Sequence, residues 1–199
     1  GSLTDIAGVC LRVGVAAQVT RRRELIRDLD ALPFPARDLL PMAAYYLPPT
    51  KSLSSGRVSN IITSRGCPYH CTFCQSTMMW QGKYRYRSAD SVVAEIEQVK
   101  AAFGVTEFNF NDDLFTADRA RLTRFCELVS ERRLGIQWIC MSRADFIKPE
   151  LLPMMKNAGC GKIVLGLESG SPQVLQAMNK QIDISKYDGA VRAIKQAGL

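Results

Sequence analysis

The sequence lacks long hydrophobic runs and internal repeats. No window reaches the roughly 18 consecutive apolar residues that a membrane-spanning helix needs, and the N-terminus lacks the charged-then-apolar layout of a signal peptide. Hydrophobic residues make up 47% of the 199 residues and charged residues 23%, which is the balance of a globular protein with one sizeable core. Membrane spans, collagen and disorder are therefore excluded, and we expect a cytoplasmic protein.

A disulfide framework is also missing. The seven cysteines are odd in number, and Cys67, Cys71 and Cys74 crowd into one loop while the others are scattered singly. This distribution is typical of a metal site in a reducing compartment. We expect the scattered cysteines to behave as small buried hydrophobic residues, namely Cys10, Cys126, Cys140 and Cys160.

Acidic residues are the minority, with 19 Asp and Glu against 26 Lys and Arg, for a net charge of +7. This charge makes an anionic partner conceivable but is too dispersed to demand one. Residues 83–87, Lys-Tyr-Arg-Tyr-Arg, interleave cations and aromatic rings as single-stranded nucleic-acid binders do. We favour a segment covering the cysteine loop, with its tyrosines packed inward and its arginines in solvent, where Arg85 or Arg87 could meet an anionic substrate. Nucleic acid is therefore not the expected partner.

Residues 1–57 differ from the rest of the chain in their proline content. A continuous helix or a central strand is forbidden there because proline removes a backbone donor and fixes φ. We therefore predict an extended linker that wraps the domain. The prolines concerned are Pro33, Pro35, Pro41, Pro48 and Pro49.

From residue 58 onward, strand patterns alternate with helical patterns. Short loops between alternating strands and helices indicate right-handed βαβ units and a parallel sheet, so we predict an α/β fold. Ser88 and Thr116 are the predicted N-caps of the first two helices. The predicted strands cover 58–62, 106–110, 136–141 and 163–167, and the predicted helices 88–103, 116–134, 149–158 and, with a pause, 174–197.

Polar groups follow each predicted strand where it ends. The cysteine loop follows the first strand, and Asp112 with Asp113 follows the second. Ser142 and Arg143 follow the third strand, and Glu168 follows the fourth. Ligands of parallel sheets bind at the carboxyl ends of the strands, so we expect these groups to converge on one face.

The cysteine loop has the spacing C-x3-C-x2-C. Soft thiolates at such spacing select an iron–sulfur cluster or zinc, and three ligands are one short for either. Zinc could recruit His70, but a side chain adjacent to Cys71 gives a strained tetrahedron. A cubane cluster, whose metal corners are separated, fits better and leaves one iron open for a substrate. Structural zinc, a purely electron-carrying cluster and chance clustering of buried cysteines are the alternatives.

The cysteine loop resembles the signature of the radical S-adenosylmethionine (SAM) enzymes, with Phe73 as the aromatic residue before the third cysteine. The resemblance implies a partial (β/α) barrel in which Cys67, Cys71 and Cys74 hold a 4Fe-4S cluster and SAM chelates the open iron. It implies reductive cleavage of SAM to a 5′-deoxyadenosyl radical, with flavodoxin or ferredoxin as a fitting electron donor. The enzyme would then carry out oxidative cyclisation, methylation or related radical chemistry on a small molecule, tetrapyrrole or lipid-like.

Three further segments are similar to family segments near SAM. Residues 108–116, which contain Asp112 and Asp113, resemble the second-strand segment that approaches the SAM amino group, although the commoner family version is glycine-rich there. Residues 141–143 resemble the third-strand segment near the SAM ribose or carboxylate, and residues 166–171 the fourth-strand segment. The resemblance implies SAM contacts from Phe73, Asp112, Asp113, Ser142, Arg143 and Glu168.

These residues also have simpler interpretations. Asp112 and Asp113 could form an N-cap and first-turn acid pair for the following helix. Glu168 could lie in a solvated turn, and Arg143 could pair with Asp145. Their joint placement at successive strand ends favours the SAM contacts.

Residues 29–37 resemble the linker after the cobalamin-binding domain of cobalamin-dependent radical SAM enzymes, a group that includes the anaerobic magnesium-protoporphyrin monomethyl ester cyclase. The cobalt-ligating stretch Asp-x-His-x-x-Gly is missing, because the only histidine is His70. The resemblance therefore implies cobalamin only through a domain outside this chain.

Length agrees with a partial domain. We expect 1–57 to be a linker following an N-terminal cobalamin-binding-like domain, and 58–199 to be a radical SAM core that lacks its last strands. About four βα units are present where the family core usually has six, and the fourth strand would expose an unpaired edge. The fragment could hold a cluster without turning over.

Two other functions remain open. An electron-transfer or structural metal module, with zinc or iron–sulfur, would need the same cysteine loop but no SAM. A methylthiotransferase-like enzyme acting on tRNA or protein fits the positive charge but is weakened by the absence of a second cysteine triad.

Overall fold

The computed structural model describes residues 1–45, 48, 52–54 and 56–199. Part of the predicted proline-rich linker, including Pro49, lies outside the described residues. The strands are β1 (Cys10–Val13), β2 (Ala16–Val19), β3 (Val58–Ile61), β4 (Ser64–Arg65), β5 (Arg85–Tyr86), β6 (Glu107–Phe110), β7 (Gln137–Ser142) and β8 (Cys160–Leu165). The helices are α1 (Gln75–Trp80), α2 (Ala89–Phe103), α3 (Arg119–Glu131), α4 (Leu152–Asn157), α5 (Pro172–Ala177) and α6 (Ser185–Gln196).

The predicted parallel sheet is confirmed. Four strands lie in the order β3-β6-β7-β8, and each neighbouring pair is parallel. The crossovers between these strands carry α2, α3 and α4, as the alternation of strand and helix patterns predicts. The four-stranded sheet does not close on itself, as expected for part of a barrel wall.

Helix α2 shows how the local sequence sets its bounds. The side chain of Ser88 accepts a hydrogen bond from the amide of Ser91, which caps the first turn as predicted. Val92, Ile96 and Val99 recur at helical spacing and are buried against the sheet. Gly104 ends the helix in the left-handed conformation, with φ of 64°.

One hydrophobic core lies between the sheet and these helices. Phe110, Phe115, Phe125 and Trp138 pack ring against ring, with Phe110 and Phe115 stacked at 4.7 Å between centroids. The indole nitrogen of Trp138 donates to the carbonyl of Ala158 at 2.8 Å, so its one polar atom is satisfied. The helix-facing side of the sheet is therefore the packed side.

The opposite side of the sheet carries polar side chains. Asn109 on β6 donates to the side chains of Asn60 on β3 and Asn111, at 3.3 and 2.9 Å. Met141 on β7 is also exposed there. Because strand residues alternate between faces, the same strands that build the core present a polar concave face.

The N-terminal segment is more structured than predicted. β1 and β2 pair as an antiparallel hairpin, and Leu29 is buried. The Arg37 guanidinium lies 2.6 Å from the buried carboxylate of Glu95 and donates to the carbonyl of Asn60 at 2.8 Å. This segment is therefore fastened to both α2 and β3.

Several local predictions are wrong. Helix α3 is capped by Asp118, whose carboxylate accepts from the amide of Arg121, and not by Thr116, whose hydroxyl instead bonds to that of Ser142. The fourth strand begins at Cys160, three residues before the predicted start, since Gly159 ends the preceding turn at φ of 91°.

Two exposure predictions also fail. Cys10 is exposed on the N-terminal hairpin, where no layer covers it, whereas the other three scattered cysteines are buried as expected. In segment 83–87, Tyr86 is exposed and Arg87 pairs with buried Glu95, because the short antiparallel pairing of β5 with β4 fixes which side chains face inward. Within the described part of the chain, no helix combines the length and apolarity needed to cross a bilayer.

Candidate metal and cofactor site

The cysteine loop runs from Gly66 to Cys74, between the end of β4 and the start of α1. Cys67 and Cys74 are partly exposed, Cys71 is at the edge of burial, and none of the three thiols is in a disulfide. Gly66 opens the loop at φ of 93°, and a Cβ at this position would collide with the carbonyl of Lys83. The loop conformation therefore requires glycine here.

Asp113 joins the two ends of the cysteine loop. Its Oδ2 atom accepts a hydrogen bond from the amide of Gly66 at 3.2 Å and from the hydroxyl of Ser76 at 2.7 Å. Gly66 directly precedes Cys67, and Ser76 lies two residues after Cys74. One carboxylate at the end of β6 therefore fixes the loop on both sides.

Asp112 has a different position. Its carboxylate is enclosed and accepts from the amide and hydroxyl of Thr63 and from the hydroxyl of Ser64, the last at 2.8 Å. The Arg121 guanidinium lies 3.7 Å away. Burial raises the pKa of Asp112, and the hydrogen bonds and Arg121 oppose that effect. Asp112 thus ties β6 to the residues that lead into the loop and faces the interior.

Arg143 packs against Tyr69 of the cysteine loop. Its guanidinium lies over the ring of Tyr69 at 3.5 Å and pairs with Asp145 at 3.0 Å. It also donates to the carbonyls of Lys180 and Gln181, at 3.0 and 3.3 Å. The Asp145 pairing that the sequence offered as the simpler interpretation is present, and Arg143 joins the third strand end, the cysteine loop and residues 180–181.

The surroundings of Cys67 make its thiolate form less favourable than it would be in water. Burial raises the pKa of Cys67, while a hydrogen bond from the backbone of Tyr69 and the charge of Arg143 lower it. A bound metal cation would favour the thiolate, because such a cation deprotonates a thiol outright. The charge of Arg143 would then offset part of the negative charge of the thiolates.

The cysteine loop lies on residues 178–181. The amide of Thr72 donates to the carbonyl of Met178 at 2.9 Å, and the side chain of Asn179 donates to the carbonyl of His70 at 2.8 Å. Asn179 and Gln181 both adopt the left-handed conformation, with φ of 52°. Non-glycine residues rarely adopt it, and such strain concentrates at functional sites.

Lys180 lies between Glu168 and Phe73. The buried Lys180 ammonium lies 3.1 Å from the Glu168 carboxylate and 5.9 Å from the centre of the Phe73 ring. Glu168 itself is partly exposed and has φ of 64°, so its side chain leaves the end of the sheet in an unusual direction. Phe73 is 52% exposed. Lys180 thus links the polar group at the fourth strand end to the cysteine loop.

Ser142 is enclosed at the end of β7. Its hydroxyl lies 2.5 Å from that of Thr116 and donates to the carbonyl of Arg143 at 3.1 Å. Ser142 therefore shapes the strand end from within, and it does not reach the open face beside Glu168.

The structure thus brings most of the predicted residues to one end of the sheet. The partners Tyr69, Ser76 and Lys180 were not among the predicted site residues. Tyr69 lies inside the cysteine loop itself, whereas Lys180 lies twelve residues after Glu168 in the sequence. No sequence feature indicated Ser76, because its role depends on where Asp113 lies.

The donor set fits an iron–sulfur cluster better than a single ion. Among the described residues, no three thiol, imidazole or carboxylate side chains converge as ligands of one metal ion would. The cysteines of a cubane cluster bind separate irons and need no such convergence. The ring of the exposed His70 lies close to Gly82, where an added Cβ would collide with it.

Comparison with known proteins identifies the family. The sequence profile of the Radical SAM superfamily matches residues 61–199. The chain therefore belongs to the radical SAM superfamily, whose members use a 4Fe-4S cluster and SAM.

Two of the curated relatives are a methyltransferase and a ring cyclase. The chain is 32% identical over 177 residues to an uncharacterized methyltransferase of Pyrococcus horikoshii, covering 89% of this chain and 37% of the relative. It is 33% identical over 177 residues to the anaerobic magnesium-protoporphyrin IX monomethyl ester cyclase of Rubrivivax gelatinosus, covering 87% and 31%. The chain spans about a third of the length of these relatives.

Solved structures show the same fold. The apo form of OxsB, a cobalamin-dependent SAM radical enzyme, matches with a TM-score of 0.78 at 20% identity, covering 99% of this chain and 29% of OxsB. The radical SAM methyltransferase TsrM of Kitasatospora setae, with cobalamin and a 4Fe-4S cluster, matches with a TM-score of 0.62 at 20% identity, covering 72% and 30%. The predicted partial barrel is confirmed.

Proposed function

We propose that this chain forms the cluster- and SAM-binding part of a cobalamin-linked radical SAM enzyme that methylates or cyclises a small molecule. The observation that carries the proposal is that one three-cysteine loop contacts Asp113 and Arg143 at the second and third strand ends and reaches Glu168 at the fourth through Lys180. When bound, the cluster and SAM supply reductive cleavage of SAM to a 5′-deoxyadenosyl radical. The chain's own residues hold and orient these groups.

In this proposal Cys67, Cys71 and Cys74 are the cluster ligands. Gly66 and Asp113 keep the loop in the conformation that spaces the three thiols. Arg143 is a positioning residue, because it contacts Tyr69 within the loop and partly neutralises the ligand charge. A loop that Asp113 fixes at both ends and that Arg143 contacts through Tyr69 keeps its geometry when the charge of the metal changes.

Glu168 is the SAM contact that the geometry supports best. Its carboxylate is partly exposed, lies at a strand end and is held by Lys180, so it can accept hydrogen bonds from an amine or a hydroxyl group. Phe73 offers an exposed ring beside it. Asp112 and Ser142 act from inside by fixing strand ends, and Asp113 acts through the loop, so we assign these three to positioning.

The names of the relatives support methyl transfer or ring closure on a small organic substrate, such as a tetrapyrrole. Cobalamin would bind through a separate domain, since this chain has no Asp-x-His-x-x-Gly stretch. The electron would come from a small reductant such as flavodoxin or ferredoxin. Seven free thiols fit a reducing compartment such as the cytoplasm.

The test is anaerobic iron–sulfur reconstitution of the 199-residue chain. We expect about four irons per chain and a change in the electron paramagnetic resonance spectrum of the reduced cluster on addition of SAM. Stoichiometric zinc without iron after anaerobic purification would instead support the structural metal module. An assembled cluster that SAM leaves unchanged would support electron transfer alone.

Two variants sharpen the test. Cys71→Ser should lose iron, whereas Cys10→Ser, which changes an exposed cysteine outside the loop, should keep it. Glu168→Gln should keep iron but weaken the spectral response to SAM. A Glu168→Gln protein with an unchanged SAM response would remove Glu168 from the site and leave the cluster assignment intact.

A further inference from the structure

A cationic cleft lies on the outer side of the cysteine loop and has no part in the function proposed above. Two adjoining cavities of about 320 and 330 Å³ separate residues 22–27 from α1 and β5. The charged residues lining them are six cations and one carboxylate. They are Arg22, Arg23, Arg27, Arg65, Lys83, Arg85 and Glu24.

These six cations are not neutralised by the protein. Within the described ranges none of them forms an ion pair, whereas Arg37, Arg87 and Arg143 are all paired with carboxylates. Like charges gathered without counterions repel one another and cost stability. The cleft therefore gathers six cations that form no ion pair into one place.

Arg85 is the most informative of the six. Its Nη1 atom donates to the carbonyl of Ile26 at 2.5 Å, but its Nε and Nη2 atoms are enclosed and have no acceptor. These two atoms form the edge of a guanidinium that takes an oxyanion with two parallel hydrogen bonds. Burial and the charge of Arg65 lower the pKa of Arg85, which shows the cost of leaving it unpaired.

Neighbouring residues fix the positions of the guanidinium groups of Arg65 and Arg85. Arg65 on β4 and Arg85 on β5 lie opposite each other in the antiparallel strand pair. Their guanidinium groups both lie near the Trp80 ring, at 5.6 and 5.2 Å from its centre. Arg22 reaches across the cleft and donates to the carbonyl of Met78 on α1. Arginine dominates the lining, and its planar fork suits phosphate oxygens better than a lysine ammonium does.

We propose that this cleft binds a phosphate-bearing ligand, with a pyrophosphate-sized group held between Arg22, Arg23 and Arg85. A cavity of about 320 Å³ is within the range of small-ligand sites. Ligand oxygens would supply the acceptors that the Nε and Nη2 atoms of Arg85 lack. Among the described residues, only the carbonyl of Ile26 accepts from Arg85, so a ligand bound to its Nε and Nη2 atoms would replace no hydrogen bond within the protein.

The probe is sodium pyrophosphate, added to the desalted 199-residue chain at constant ionic strength and followed by titration calorimetry and thermal unfolding. We expect saturable binding and a raised melting temperature. Replacement of Arg22 and Arg23 by Gln should weaken binding by roughly tenfold or more, the usual effect of losing charge-assisted hydrogen bonds. Arg85→Lys, which keeps the charge but removes the fork, should weaken it too.

The control removes two arginines elsewhere. Arg124→Gln with Arg192→Gln takes the same charge from exposed positions on α3 and α6 and should leave binding unchanged. Equal binding by the Arg22/Arg23 variant and this control would overturn the proposal. So would saturation by citrate as tight as by pyrophosphate, or tighter binding of poly-glutamate, which would indicate a polycarboxylate or an acidic protein instead.

Discussion

The cysteines of the loop and the cysteines of the core show how one side chain serves two purposes. Cys67 and Cys74 lie partly exposed among hydrogen-bonded polar groups, whereas Cys126, Cys140 and Cys160 are between 0 and 1% exposed. Burial raises the pKa of Cys126 to about 12 and also raises that of Cys140, where Cys160 adds to the effect. The thiols of Cys126 and Cys140 are therefore held neutral as small apolar groups, whereas the loop cysteines are the proposed metal ligands.

The difference arises from what surrounds each set. The core cysteines lie on α3, β7 and β8, where the backbone is regular and the thiols are packed in the core. The loop cysteines lie on irregular backbone fixed by Gly66, Asp113 and Arg143. A metal site thus depends on loop residues that do not themselves touch the metal.

The largest expected effect is loss of a ligand. Any of Cys67→Ser, Cys71→Ser or Cys74→Ser should abolish stable 4Fe-4S assembly, because a cluster with two cysteine ligands dissociates readily. Cys126→Ser should keep the full iron content while lowering the free energy of unfolding by about 1 to 3 kcal/mol, the cost of an unpaired buried hydroxyl. Iron analysis and denaturant unfolding measure the two effects, and equal iron loss in both sets would erase the distinction.

Gly66→Ala should have the next largest effect. Alanine at φ of 93° is strained by roughly 1 to 3 kcal/mol, and its Cβ must displace the carbonyl of Lys83. We expect the loop to shift and the cluster to be lost within minutes of exposure to a chelator. Gly170→Ala, at a position where a Cβ would meet open space, is the matched control and should retain iron.

Asp113→Asn should have an intermediate effect. An amide keeps the shape but weakens the bonds to Gly66 and Ser76, for an expected loss of about 1 to 2 kcal/mol of charge-assisted hydrogen bonding. The cluster should assemble but leave faster in a chelator time course, with the thermal midpoint only slightly lower. Asp188→Asn, which breaks an exposed pair with Arg192, should change neither quantity.

The smallest perturbation is chemical labelling. With iodoacetamide at pH 8, the metal-free chain should be modified at Cys10, Cys67 and Cys74 before Cys126. A pKa of about 12 lies above the solution pH, so the Cys126 thiol stays protonated, with thiolate at roughly one part in ten thousand. Peptide mass spectrometry reads each site. Early labelling of Cys126 would mean that the core opens as easily as the loop.

Sequence periodicity was sufficient for the sheet because each strand and helix carries its own pattern. Val92, Ile96 and Val99 specify the buried face of α2, and the alternating Phe108 and Phe110 specify β6. It did not indicate the partners of the N-terminal segment, where proline density predicted an extended linker or wrapping segment and Arg37 forms a buried ion pair with Glu95. A long-range pairing of this kind leaves no local pattern.

The candidate site divides in the same way. The three cysteines and the strand-end position of Glu168 followed from spacing and topology. The roles of Asp112 and Asp113 did not, since adjacent carboxylates at one strand end look alike in a sequence. Only the structure separates them, with Asp112 enclosed by Thr63 and Ser64 and Asp113 directed at the loop.

The sequence by itself determined the cysteine spacing, the parallel α/β order and the family resemblance, because these depend on neighbouring residues and on period. Tertiary structure decided which carboxylate meets the loop, which arginines are paired and which form the cationic cleft. These outcomes depend on contacts between residues tens of positions apart, as between Arg22 and Met78. Such contacts form only when the whole chain packs, so no local pattern encodes them.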